Sequence, residues 1–153
     1  LVNALSAYLM QRFNGLRLCS SAEQLRLGVA LDEALLHASF TGPMAVSSVL
    51  REVNYNEFYD LAKQRSQESP YQERRIWVSA KYSTTDATVV IRDDGPGFDV
   101  TALPDPRDPG YLERPHGRGL LLMRTFLDEV RFNERGNEVT LVKRANRTSL
   151  PLV

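Results

Sequence analysis

Thr88-Val89-Val90-Ile91-Arg92-Asp93-Asp94-Gly95-Pro96-Gly97-Phe98 is the stretch on which the fold turns. Its first half alternates as a strand does, with Val89, Ile91 and Asp93 on one side. Its second half stops that strand, and Pro96-Gly97 suits the centre of a type II turn, which is enough to explain both residues. The turn does not explain Asp93. A carboxylate on the core face of a strand costs several kcal/mol unless something donates hydrogen bonds to it. A ligand amino group is one such donor, and Gly95 and Gly97 would let a flat ring approach the backbone closely.

Reading outward, Ile76, Val78, Ala80 and Tyr82 fall on one side of a strand over 75–82, and Thr84-Thr85-Asp86 suits a hairpin turn to the next. Downstream, 94–116 holds five prolines and exceeds an ordinary connection, as functional lids do. A helix is expected over 117–129, with Leu120, Met123, Leu127 and Val130 facing a core, then strands 130–133 and 138–143 around a turn at 135–137. Upstream, a helix over 1–13 precedes a second that Ser20 or Ser21 caps, with Glu23 in its first turn. That second helix is expected to reach Phe40, with Leu25, Gly28, Val29 and Leu36 along its buried stripe, and to stop at Thr41-Gly42-Pro43. A third, polar helical stretch follows over 45–67. Its Tyr55, Phe58, Tyr59 and Leu61 are expected to pack over the domain.

These elements predict an α/β fold: a two-layer sandwich of a mixed, mainly antiparallel sheet with helices on one face. One domain is expected over 1–145, with a lid at about 94–116, an extra helical segment at about 45–68 and a tail at 146–153. The 153 residues balance 19 Lys+Arg against 19 Asp+Glu. A zero net charge argues against a general nucleic-acid binder, which needs excess basic charge. The single cysteine, Cys19, cannot form an internal disulfide, and no apolar run is long enough to cross a bilayer. With no signal-peptide pattern, the expectation is a cytoplasmic domain without a membrane partner. Leu1 in place of Met suggests a piece of a longer chain.

Two further constellations carry chemistry. His116-Gly117-Arg118-Gly119-Leu120 opens a helix, and glycines there leave the first amides bare as an anion site. Arg114 and Arg118 add positive charge suited to phosphate oxygens, unless water alone surrounds them. Glu33 and His37, four apart on the second helix, share one face beside Ala30, Ala34 and Ala38. By themselves they read as a surface pair.

In this order, Glu on a helix, Asp-x-Gly-x-Gly after a strand, a lid, and Gly-x-Gly-Leu at a helix start, the chain resembles the GHKL nucleotide-binding superfamily. That superfamily includes the ATPase domains of gyrase, MutL and histidine kinases. Within it the sequence looks most like the anti-sigma-factor serine/threonine kinases of bacterial partner switching, over roughly 21–144. The resemblance implies that Asp93 accepts from the adenine amino group, that Gly95 and Gly97 flank the ring, and that Gly117 and Gly119 line the triphosphate of ATP or ADP. It implies a terminal-phosphate contact for Arg114, although that residue stands one place further from the glycines than in the family. Glu33 matches the family's general base, which takes a serine proton during phosphoryl transfer.

One position departs. Where the family carries an asparagine that holds Mg²⁺, this chain has His37, and magnesium prefers oxygen ligands. Thr41 likewise stands where histidine is frequent. Two readings follow: a serine/threonine kinase acting on an anti-sigma-factor antagonist, or an impaired ATP-binding module that grips a partner such as a sigma factor. A histidine-kinase ATPase domain is a third, but both histidines lie inside the nucleotide motifs. A homodimer is a further expectation of the resemblance.

Overall fold

The central run lies within a strand, β2 (Asp86–Asp93), which pairs antiparallel with β1 (Ile76–Tyr82) on one side. On its other side runs β4 (Glu138–Arg144), followed by β3 (Glu129–Phe132), so the sheet order is β1-β2-β4-β3. Among the described residues all three pairings are antiparallel, which gives the mainly antiparallel sheet with helices on one face that the sequence predicts. A computed structural model describes residues 2–15, 19–103 and 118–145, with only the backbone of 15, 52 and 118. Most of the expected lid, including Arg114, as well as Gly117 and the tail at 146–153, lie outside the described residues.

One face of the sheet carries three helices: α1 (Val2–Gly15), α2 (Ser21–Leu36) and, after the lid, α5 (Arg118–Phe126). α2 begins in a complete capping box. The Ser20 hydroxyl accepts from the Glu23 N–H at 3.4 Å, and the Ser20 N–H donates to the Glu23 carboxylate at 2.9 Å. Such a cap contributes about 1 kcal/mol. Leu27, Leu31 and Leu35 from α2 meet Val89, Ile91, Val139 and Leu141 from the sheet, with Leu9 and Phe13 of α1 closing one side. Each large apolar side chain so buried stabilises the fold by about 1.5–3 kcal/mol.

The expected stripe on α2 is rotated. Leu25 is 74% exposed and Val29 is on the surface, while Leu27, Ala30, Leu31, Ala34 and Leu35 are buried. Apolar residues surround this helix on nearly every side, so spacing alone does not choose the inward face. Nor does the α-helix run to Phe40: His37–Thr41 widens into a π turn, whose last N–H bond joins Gly42 to the His37 carbonyl at 2.9 Å.

The polar stretch after Gly42 is two helices rather than one, α3 (Ser48–Val53) and α4 (Tyr55–Arg65), divided at Asn54, whose side chain caps α4. They form a small separate core. Phe58, Val46 and Ala62 are buried in it against Phe40, Met44 and Tyr59, whereas Tyr55 stays exposed. The far face of the sheet presents Trp77, covered in part by the Arg92 guanidinium at 4.3 Å from its ring. Among the described residues no helix is long and apolar enough to cross a membrane.

Candidate functional site

Asp93 ends β2 on the face that also carries Val89 and Ile91, and it is 4% exposed. One carboxylate oxygen, Oδ1, accepts from the Gly95 N–H at 2.7 Å. No hydrogen bond from the described residues reaches Oδ2. Burial pushes the carboxyl up to about 6, against the Gly95 N–H and the charges of Arg74 and Arg135, with Asp94 adding to the rise.

Two glycines make room for this group. A Cβ on Gly42 would come within 2.5 Å of the Asp93 carboxylate, and one on Gly95 would strike the Gly42 carbonyl. Gly42 is held by the segment that follows it. Arg74 donates to the Pro43 carbonyl at 2.6 Å, Arg65 donates to the Met44 and Ala45 carbonyls at 2.8 Å, and the Tyr71 ring lies against both guanidiniums. Gly97 has a φ of +76° and packs on the Arg135 carbonyl, so the Gly95–Phe98 loop rests on the turn between β3 and β4. Phe98 closes that loop edge-on to Phe132 and to His37.

Glu33 lies one turn before His37 on α2, yet the surface pair of Glu33 with His37 does not form. Instead Nη2 of Arg51, from α3, donates to both Glu33 oxygens at 2.8 and 3.0 Å. Gly119, near the start of α5, touches the same carboxylate so closely that a Cβ there would overlap it. The helix end bearing the second glycine motif therefore abuts Glu33. His37 is largely enclosed, and burial, then the nearby Arg51 charge, pull its pKa below the ordinary value and favour the neutral ring.

Asp93, Gly95 and Gly97 thus cluster at the end of β2, Glu33, His37 and Gly119 cluster where α2 meets α5, and Phe98, edge-on to His37, lies between the two groups. A family model described as the histidine kinase-like ATPase domain matches residues 6–143. The chain belongs to that family. No curated protein matches it. Membership makes this a GHKL-type ATPase domain, and nucleotide binding is the property the family implies.

Within this ATPase domain, Arg114 and Gly117 fall outside the described residues, and Arg118 begins α5 with only its backbone described. Sequence reasoning missed Arg51, Gly42 and Asn137, whose side-chain amide donates to the Asp93 carbonyl at 2.7 Å. Arg51 carried no local signal, since its partner lies 18 residues away. Gly42 was legible only as a helix stop. The Asn133-to-Asn137 turn offered one clue, because Asn side chains readily bond nearby backbone.

The family's usual Mg²⁺ can be tested against these donors. Both Glu33 oxygens face a guanidinium, His37 offers a ring nitrogen, and no three His, Cys, Asp or Glu side chains gather among the described residues. A hard cation that prefers oxygen finds a poor fit here.

Proposed function

We propose that this ATPase domain binds ATP or ADP and regulates a partner protein in bacterial signalling, in the manner of an anti-sigma-factor kinase whose phosphoryl transfer is weakened. The buried Asp93 carboxylate carries the reading. Its Oδ2 lacks a donor from the described residues, beside two glycines that leave a flat ring room, and the exocyclic amino group of adenine is a donor of the right kind. At the other end, the amides opening α5 are suited to phosphate oxygens.

Weak transfer follows from Glu33. A general base needs a lone pair turned toward the substrate proton, and Arg51 holds both Glu33 oxygens by a hydrogen bond to each, competing with a substrate hydroxyl for that carboxylate. The partner is a protein, either an anti-sigma-factor antagonist or a sigma factor, and the ATPase domain acts on it as a monomer or a homodimer. An active serine/threonine kinase is the second reading, favoured by the contact of Glu33 with Gly119, which sets a carboxylate at the phosphate end of the site.

Calorimetric titration with ATP and ADP tests nucleotide binding. The parent binds both, and Asp93→Asn loses about tenfold or more, as expected for a lost charge-assisted hydrogen bond. No heat at millimolar nucleotide would leave only a protein-interaction role. His37→Asn separates the two readings. Mg-dependent turnover that appears only in the variant supports the binder, and equal turnover in both supports the kinase.

A further inference from the structure

The phosphate end of the site already contains a cation. Arg51 reaches it from α3, outside the motifs that define the nucleotide site, and closes an ion pair of two hydrogen bonds with Glu33. Both bonds come from Nη2. The Nη1 and Nε groups have no acceptor among the described residues. A guanidinium carries five N–H donors in a rigid plane, so the unspent ones can serve a phosphate oxygen while Nη2 stays on the carboxylate.

The surroundings match that use. Gly119 also packs on the Glu33 carboxylate, which brings the start of α5 and the ion pair together. The Arg51 and Glu33 side chains are only about a fifth exposed, at 21% and 20%, so the pair is partly shielded from water. His37 stands edge-on to Phe98 at 5.7 Å between ring centres.

We propose that Arg51 is the resident cation of the nucleotide site, standing where a divalent ion would otherwise sit, so that ATP and ADP bind without Mg²⁺. The inference rests on the nucleotide-binding reading above. It assigns Glu33 a different duty: the carboxylate orients the guanidinium and is a positioning residue. It also gives the inserted helices a purpose. α4 and its small core hold α3 in place through Leu50, and α3 delivers the charge to Glu33.

Titration calorimetry of the chain with ADP and with ATP, in excess Mg²⁺ and in EDTA, tests the proposal. The parent is expected to give dissociation constants within about twofold of each other in the two buffers. Arg51→Met is expected to lose about tenfold in EDTA, the size of one charge-assisted contact to phosphate. Arg51→Lys, which keeps the charge, retains most of the metal-free affinity, and thermal melts of both variants show whether the fold survives. If EDTA weakens the parent tenfold or more, the proposal fails while the nucleotide site stands. It fails in the same way if a folded Arg51→Met binds in EDTA as the parent does. Absence of binding in every buffer overturns the nucleotide reading and this inference together.

Discussion

Asp93 and Asn137 hold each other at two points. The Asp93 N–H donates to the Asn137 carbonyl at 2.9 Å, and the Asn137 side-chain amide donates to the Asp93 carbonyl at 2.7 Å. The β2–β4 ladder has just ended at Arg92 and Glu138, so this reciprocal pair continues it by one step using a side chain. The backbone of Asp93 is thereby fixed where its carboxylate must be aimed.

Asn137→Ala removes that side-chain bond and the one accepted from Asn133 at 2.9 Å. Leaving the partly buried carbonyl unpaired is expected to cost about 1–3 kcal/mol in chemical denaturation. Nucleotide affinity should fall with it, because the carboxylate loses its anchor. Unchanged affinity in a destabilised variant would mean that the aim of Asp93 is set elsewhere.

Gly97→Ala combines a φ of +76° with a Cβ driven into the Arg135 carbonyl, and the expected loss is at least about 2 kcal/mol. Gly28→Ala is its counterpart. Gly28 lies inside α2, and a Cβ there meets only Met10 Sδ at 4.0 Å, an ordinary contact. That change should stabilise the domain by about 0.5–1 kcal/mol, since alanine favours helix. Denaturation midpoints of the two variants moving in the same direction would contradict this account.

Asp93 makes the nucleotide-free domain less stable as pH rises. Its folded pKa, about 6, lies above the ordinary 3.8, so between those values the unfolded chain has lost its proton and the folded one has not. The folded state binds more protons there, and stability declines with rising pH until it levels off above about 6. The full cost approaches roughly 3 kcal/mol. Stability–pH curves of the parent and Asp93→Asn should therefore diverge across this window. A donor on the ligand favours the ionised carboxylate, so nucleotide affinity should weaken as pH falls through about 6, and a flat affinity profile would count against the adenine contact.

Lys143 is buried on the core face of β4, with its amine 3.3 Å from Glu23 and 3.6 Å from Asp128. Burial pulls its pKa down, but the Asp128 and Glu23 carboxylates prevail and hold it above the ordinary lysine value. Its contribution is present below the unfolded pKa and is lost as pH climbs through the raised folded value. Lys143→Met is expected to cost about 1–3 kcal/mol at neutral pH, less than a fully buried pair because both carboxylates are partly exposed. Urea denaturation measures it, and a variant as stable as the parent would show that the methionine packs as well as the ion pair.

Much of the site was legible because it is local. Strand alternation alone put Asp93 beside Val89 and Ile91, and the buried face of β2 carries all three. The same rule applied to Val139, Leu141 and Lys143 points the lysine inward, which its charge would have argued against. Legibility failed where a residue's meaning depends on another element. Thr41-Gly42-Pro43 reads as a helix stop, and nothing in those three residues says that Gly42 lies under a carboxylate 51 positions later.

By itself, then, the sequence determined the order of the main helices and strands, the core faces of β1 and β2 and the glycine-flanked aspartate, because periods, caps and turn residues act over a few neighbours. The tertiary structure decided the rotation of α2, where apolar residues on nearly every side left the choice to α1, α5 and the sheet. It also decided the partner of Glu33. Four residues away on the same helix stands His37, yet the carboxylate faces Arg51, because only the packing of the inserted helices brings a charge from 18 residues away within hydrogen-bond range.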